Sequence, residues 1–207
     1  MIKIENVDAF GWKAAIRGAR NPMNSWEKSD SEFTFEDYEI GPEDLKLLKT
    51  LSKAGPDHGK YLRMIHVQMD ITAPLYWWKE FSTYKVGTTA NSCSTMHKIH
   101  DKPFTMDDFS MEHLNEDNQS VLEDLLLTLN RYRILYNRTK DKDDWWQMIQ
   151  LLPSSYNQKR TLDLNYAVLK AMYHARKNHK LDEWRDFCKW IESLPYAMEL
   201  VCEEVES

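Results

Sequence analysis

Between residues 62 and 81 the hydrophobic period of the chain changes, and no other feature limits its fold as strongly. Ile65, Val67, Met69 and Ile71 alternate with His66, Gln68 and Asp70, the period-two pattern of a strand with one buried face. Pro74 cannot donate to a strand ladder, but its fixed backbone angle suits the first turn of a helix. The residues after it, Tyr76 to Phe81, read as that helix. A half-buried strand that feeds straight into a helix calls for helices layered on a sheet.

The rest of the chain agrees with an α+β architecture rich in helices. Residues 2–7 read as an edge strand and 12–19 as a short helix stopped by Asn21-Pro22. Gly41-Pro42 opens a helix with Glu43 and Asp44 in its first turn and Leu45, Leu48 and Leu51 on one face, ended by Gly55-Pro56. Residues 98–110 read as a loop, and 121–136 as an amphipathic helix. Further helices are expected over 142–152, stopping before Pro153, over 162–177, and over 181–193, where Trp184, Phe187, Cys188 and Ile191 share a face. Residues 24–39 are polar and acidic, a loop of unusual length, and loops that long tend to be functional or disordered. No repeat or low-complexity segment interrupts the order. At 207 residues, one domain over 1–207 is the default.

Composition removes several classes of function. The net charge of −6, without a basic block, leaves no electrostatic footprint for a nucleic-acid polymer, though a free-nucleotide pocket needs only a few local donors. No run approaches the roughly 18 apolar residues of a membrane span. Three cysteines without metal-ligand spacing, Cys93, Cys188 and Cys202, argue against a secreted disulfide framework, so a cytoplasmic location is expected. Eight Trp and ten Tyr favour an oligomer or a lined pocket.

Residues 87–95, Gly-Thr-Thr-Ala-Asn-Ser-Cys-Ser-Thr, are small and rich in hydroxyls, a composition that can present N–H and O–H groups to a phosphate. Taken alone, the segment reads first as a polar connection with capping roles. Its setting adds weight. Residues 73–97, from Ala-Pro through Thr83-Tyr84-Lys85 to Asn91, Ser94 and His97, resemble the signature region of the flavin-dependent thymidylate synthases. There an Ala-Pro helix leads into R-H-R-x-x-S-x-N-E-x-S-x-R-Y. Here R-H-R reads Thr83, Tyr84 and Lys85. One extra residue precedes Asn91, and Asn91 and Ser94 keep the N-x-x-S spacing. Ser92 stands for the Glu, Met96 for the last Arg and His97 for the Tyr. A second block is similar as well: Pro153, Asn165 twelve residues on and Arg176 eleven beyond that keep the family's separations, while Ile149 replaces an Arg and 180–182 replace H-A-Q. Ala14 to Arg20 resembles the family's early helix.

The resemblance implies one helix-rich α+β domain with a small mixed or antiparallel sheet, and a homotetramer whose pockets lie between subunits. It implies FAD as cofactor, in a family where reduced flavin passes a methylene from a folate to C5 of dUMP. Carried over by position, the nucleotide- or cofactor-binding set is Lys85, Thr88, Asn91, Ser92, Ser94, Asn165 and Arg176. With most of the motif's charges replaced, the expectation is a protein that binds a nucleotide or nucleotide-containing ligand without thymidylate synthase activity. Two alternatives stay open: an FAD-dependent enzyme modifying another pyrimidine nucleotide, and a non-catalytic protein that sequesters a nucleotide signal or scaffolds a partner.

Other polar groups read more plainly. Thr83, Ser92 and Ser94 lack an evident base and are not read as nucleophiles. His97 and His100, with Asp101, Asp107, Asp108 and His113, read as solvated loop polarity more than as a metal site, because Pro103 breaks any helix there. His174, Arg176 and His179 form either an anion-holding cluster or ordinary helix surface, and Arg176 has Asp182 and Glu183 as alternative partners. The pairs Trp77-Trp78 and Trp145-Trp146 read as core or interface packing.

Overall fold

The computed structural model describes residues 2–35 and 37–203. Its elements run β1 (Lys3–Phe10), α1 (Trp12–Arg20), β2 (Glu32–Phe33), β3 (Tyr38–Glu39), α2 (Pro42–Lys53), β4 (His66–Pro74), α3 (Leu75–Phe81), β5 (Thr88–Ser92), α4 (Glu116–Thr139), α5 (Lys142–Leu151), β6 (Asn157–Asn165), α6 (Tyr166–Arg176) and α7 (Asp182–Glu192). The architecture is α+β and helix-rich, with a small antiparallel sheet in the order β1-β4-β6-β5 and a two-stranded ribbon of β2 and β3. The change of period at Pro74 is a true junction: β4 runs into α3 without a loop, and Val67, Met69, Ile71 and Ala73 are fully buried.

Two differences from the sequence reading concern strands. Residues 162–165 belong to β6, and the helix expected from 162 begins only at Tyr166. In β6 Gln158, Leu162 and Leu164 are buried while Thr161 is exposed, but polar residues on both faces blur the alternation. Asn165 sets the boundary, since its side chain accepts from Val168 N at 3.0 Å and caps α6. Residues 88–92 form an edge strand where a connection was expected, and Asn91 and Ser92 are exposed within it.

The chain divides into two compact units. One is built chiefly from Asp70–Thr83 and Asn91–Thr161. Its core joins Leu122, Leu126 and Leu129 of α4 to Met148 of α5 and to Ile99, Phe104 and Phe109 of the preceding loop. That loop is anchored by α4: Asn130 donates to the carbonyl of Phe104 and accepts from its N–H, both at 2.9 Å. Thr105 and Asp108 close a reciprocal cap within it.

The other unit holds Glu5–Met69, Tyr84–Ala90 and the chain from Leu162 onward. The long polar loop at 24–39 belongs here and is built rather than loose, although residue 36 lies outside the described residues. Asp30 caps α2 from a distance, accepting from Glu43 N at 2.9 Å and Asp44 N at 3.0 Å. Asp44 returns the contact to the loop: it accepts from Ser29 Oγ at 2.7 Å, Ser31 Oγ at 2.6 Å and the N–H groups of Asp30 and Ser31. Arg20 of α1 donates to its other oxygen at 2.6 Å, and both side chains are buried. Gly41 permits this closure, since a Cβ there would lie 2.3 Å from the Asp30 carboxyl carbon. Burial alone would raise the pKa of Asp44. The hydroxyls of Ser31 and Ser29 and the Arg20 guanidinium outweigh it and hold the carboxyl below its ordinary value.

Candidate functional site

The residues expected to bind a ligand fall into groups with different local tasks. In the unit containing α6, the segment 84–88 lies along that helix. At its start, Gly87 has φ of +77°, and a Cβ there would lie 2.6 Å from Asn165 Nδ2, so the segment packs directly on the cap. At the other end, Arg176 donates from Nε to the Tyr84 hydroxyl at 3.1 Å. Its guanidinium carbon also stands 4.9 Å from the Trp184 ring centroid and 5.7 Å from that of Tyr84. Asn165 and Arg176 therefore occupy opposite ends of α6, about 16 Å apart at 1.5 Å per residue, and do not meet on one ligand edge.

Lys85 is exposed. Thr88 is half-buried, and its Oγ1 is buried without a hydrogen-bond partner among the described residues. A withdrawn hydroxyl left unsatisfied costs stability. Within 174–179, His174 Nε2 lies 3.0 Å from the Val201 carbonyl, and His179 Nδ1 accepts from Leu181 N at 3.2 Å.

In the other unit, Asn91 and Ser92 are exposed near the end of β5. Ser94 turns its hydroxyl inward on the chain, accepting from the N–H groups of His97 at 3.0 Å and Met96 at 3.2 Å. That is a capping task. Thr83 donates its hydroxyl to the Glu80 carbonyl at 2.7 Å and closes the end of α3. Among the described residues no three His, Cys, Asp or Glu side chains gather as a metal would need. Trp77 and Trp78 are buried core residues, whereas Trp146 is exposed.

Two features escaped the sequence reading. The first is a cleft of about 330 Å³ between α6 and the turn at 52–63, walled by Pro56, Leu62 and Ala171 and reached by Arg63, Lys170 and His174. Lys170 donates to Ser52 Oγ at 2.6 Å and to its carbonyl at 2.9 Å, and burial lowers its pKa. The second is Arg160 of β6. Its guanidinium carbon lies 4.3 Å from the Trp78 ring centroid, its Nε donates to Gln158 Oε1 at 3.0 Å, and its Nη1 donates to Ser82 Oγ at 3.4 Å. The only signal in the sequence is that Arg160 shares its strand face with Gln158, Leu162 and Leu164.

No protein-family model matches the chain, and no curated protein sequence matches it. Solved structures do. A flavin-dependent thymidylate synthase, ThyX of Helicobacter pylori complexed with FAD and dUMP, superposes at TM-score 0.72 and 19% identity over 99% of this chain and 100% of that one. A second structure of the same enzyme with FAD and dUMP gives 0.71 and 19%, covering 97% of each chain. The UMP/dUMP methylase PolB of Streptomyces cacaoi, bound with 5-Br dUMP, gives 0.62 and 14% over 93% of this chain and 89% of that one. The chain has the flavin-dependent thymidylate synthase fold along its full length, as its signature segment implied. Among the described residues no helix is long and apolar enough to cross a membrane.

Proposed function

We propose that this protein binds a uracil nucleotide, or a ligand containing one, and does not make thymidylate. The observation that carries the reading is the match of nearly the whole chain to two differently named proteins that each hold a uracil nucleotide. The second half of the reading comes from the residues. Thr83, Met96 and Ile149 stand where the resembled motifs have arginine, and each charge-assisted bond lost to a phosphate or pyrimidine is worth on the order of 1.5 to 3 kcal/mol.

Within this reading Lys85 and Thr88 face the ligand from the segment beside α6, and Asn91 and Ser92 follow near the end of β5. Asn165, Arg176 and Ser94 support them by holding backbone segments. Oligomers with closed symmetry are the common way to complete such pockets, so a homotetramer belongs to the proposal. Exposed Phe10, Trp26, Phe35 and Val86 leave apolar surface for its interfaces.

FAD is the second reading, favoured by its presence in the ThyX structures. The residues fit its diphosphate poorly: Tyr84 stands where the motif has His and is occupied by Arg176, and Lys85 supplies only a point charge. No reaction step is therefore assigned to a flavin.

The deciding experiment is an absorption spectrum of the purified protein, mass spectrometry of what it releases on denaturation, and thermal unfolding with dUMP, UMP and FAD. A rise in Tm with dUMP or UMP and no flavin spectrum is expected, since a ligand that binds only the native state stabilises it. No response to any of the three ligands would overturn nucleotide binding. Growth of a thymidine-requiring strain on expression of the gene would overturn the absence of synthase activity.

A further inference from the structure

Arg160 is held in place by groups that are themselves held. Gln158, which accepts from its Nε, donates from Nε2 to the Cys93 carbonyl at 2.8 Å. Trp78, whose ring lies beneath the guanidinium, donates from Nε1 to the Gln158 carbonyl at 2.9 Å and is 1% exposed. The platform is therefore rigid before any ligand arrives, which limits the ordering cost of binding. A guanidinium has five N–H donors, and the bonds to Gln158 and Ser82 use two of them.

The charge is also uncompensated. Among the described residues no carboxylate pairs with Arg160, whereas Asp70 pairs at 3.0 Å with Lys159, the neighbouring residue on the opposite face of the strand. Half-burial opposes the charge and lowers the pKa of Arg160, and no acidic neighbour offsets it. Two other arginines of the chain do have a carboxylate: Arg20 has Asp44 and Arg185 has Asp182. A cation half withdrawn from water on an aromatic face, with donors to spare and no counter-ion, is built to receive an anion.

We propose that Arg160 binds an oxyanion, namely a phosphate group of the ligand. It stands beside Ser82, one residue before Thr83, where the resembled motif would begin its R-H-R. A guanidinium supplied by β6 thus stands close to the place where the motif's own has been lost. That the phosphate belongs to a nucleotide rests on the function proposed above. That the site takes phosphate does not. The competing structural role is a cation that packs on Trp78 and faces the carbonyl end of α3.

The test is calorimetric titration of the intact protein and of R160Q with inorganic pyrophosphate, malonate and dUMP. Pyrophosphate should bind the parent and bind R160Q at least tenfold more weakly. Independently of any variant, pyrophosphate should protect Arg160 from an arginine-selective dicarbonyl reagent, read by peptide mass spectrometry. This arm holds even if R160Q does not fold. Equal pyrophosphate affinity in both proteins, or no protection of Arg160, overturns the proposal. Malonate binding as tightly as pyrophosphate, with the same loss in R160Q, overturns the assignment to phosphate. If dUMP binds both proteins equally, Arg160 is excluded while the nucleotide reading stands. If pyrophosphate binding depends on Arg160 and no nucleotide binds, Arg160 stands and the nucleotide reading falls.

Discussion

Arg20 is buried and Arg160 half-buried, in different units of the chain, and they are balanced in opposite ways. Arg20 is 5% exposed and meets the fully buried Asp44, whose other oxygen gathers the loop at 29–31. Its charge is cancelled, and the pair ties α1, α2 and the long loop together. Arg160 meets an indole face, an amide and a hydroxyl, and no carboxylate. Its charge is held in place but not cancelled. Burial of an arginine therefore says little about its role, while the presence of a counter-ion says a good deal.

The largest effect expected is at the paired arginine. Asp44→Ala would leave Arg20 buried without a counter-ion and free the donors of Ser29 and Ser31, and breaking a buried pair from one side costs about 3 to 5 kcal/mol. Urea unfolding should show that loss, and a change under about 1 kcal/mol would erase the contrast with Arg160. The same pair carries a pH signature. The folded-state pKa of Asp44 lies below its unfolded value, so its stabilisation is present above the ordinary carboxylate pKa of about 4 and is lost as pH falls through the lower folded value. Asp44→Asn should flatten that part of the acid-unfolding curve.

How far the sequence revealed these roles differs between them. Gly41-Pro42 and the acidic first turn announced α2 and so placed Asp44, but the loop that wraps it read as structureless because its bonds run to residues thirteen to fifteen positions away. The β4–α3 junction was visible because the apolar period of β4 stops at Pro74, and the end of α5 because Pro153 follows it. The strands β5 and β6 were not: one is a short edge strand with exposed polar residues, and the other mixes Gln158 and Arg160 into its buried face. The motif spacing pointed to Arg176 and was silent on Arg160, because a lone arginine on a strand looks like surface polarity until its neighbours are known.

The next effect in size lies at Gly87. Its φ of +77° is costly for a residue with a side chain, and a Cβ would press on the Asn165 amide that caps α6. Gly87→Ala should cost about 1 to 3 kcal/mol, measured by chemical unfolding. A neutral substitution would show that the 84–88 segment is not seated on the cap, and Asn165 would then be open to contact a ligand.

Smaller again is the change at Tyr84, whose hydroxyl accepts from Arg176. Tyr84→Phe removes the acceptor of the Arg176 Nε and keeps the ring, so the loss should be about 0.5 to 1.5 kcal/mol by thermal unfolding. If that variant instead gains affinity for dUMP with little loss of stability, Tyr84 restrains a guanidinium that the ligand would otherwise use, and Arg176 moves from support to binding.

The smallest expected effect on stability is at Arg160 itself, and it tests the comparison most directly. Arg160→Met keeps an unbranched stem over Trp78 and removes the guanidinium, losing one bond to Gln158, a long one to Ser82 and the cation–ring attraction. Against those losses, the variant no longer holds a half-buried charge without a counter-ion. The two sides are of similar size, since neutral-partner bonds contribute about 1 kcal/mol each and a guanidinium still half in water is only partly desolvated. The net change in unfolding free energy should therefore be under about 1 kcal/mol, with the unfolding midpoint in urea as its measure. A loss above about 2 kcal/mol would mean that Arg160 stabilises the fold as Arg20 does, by contacts already complete within the chain. A near-zero change accompanied by lost pyrophosphate binding would separate the two arginines fully: one residue spent on the fold, the other kept for a ligand.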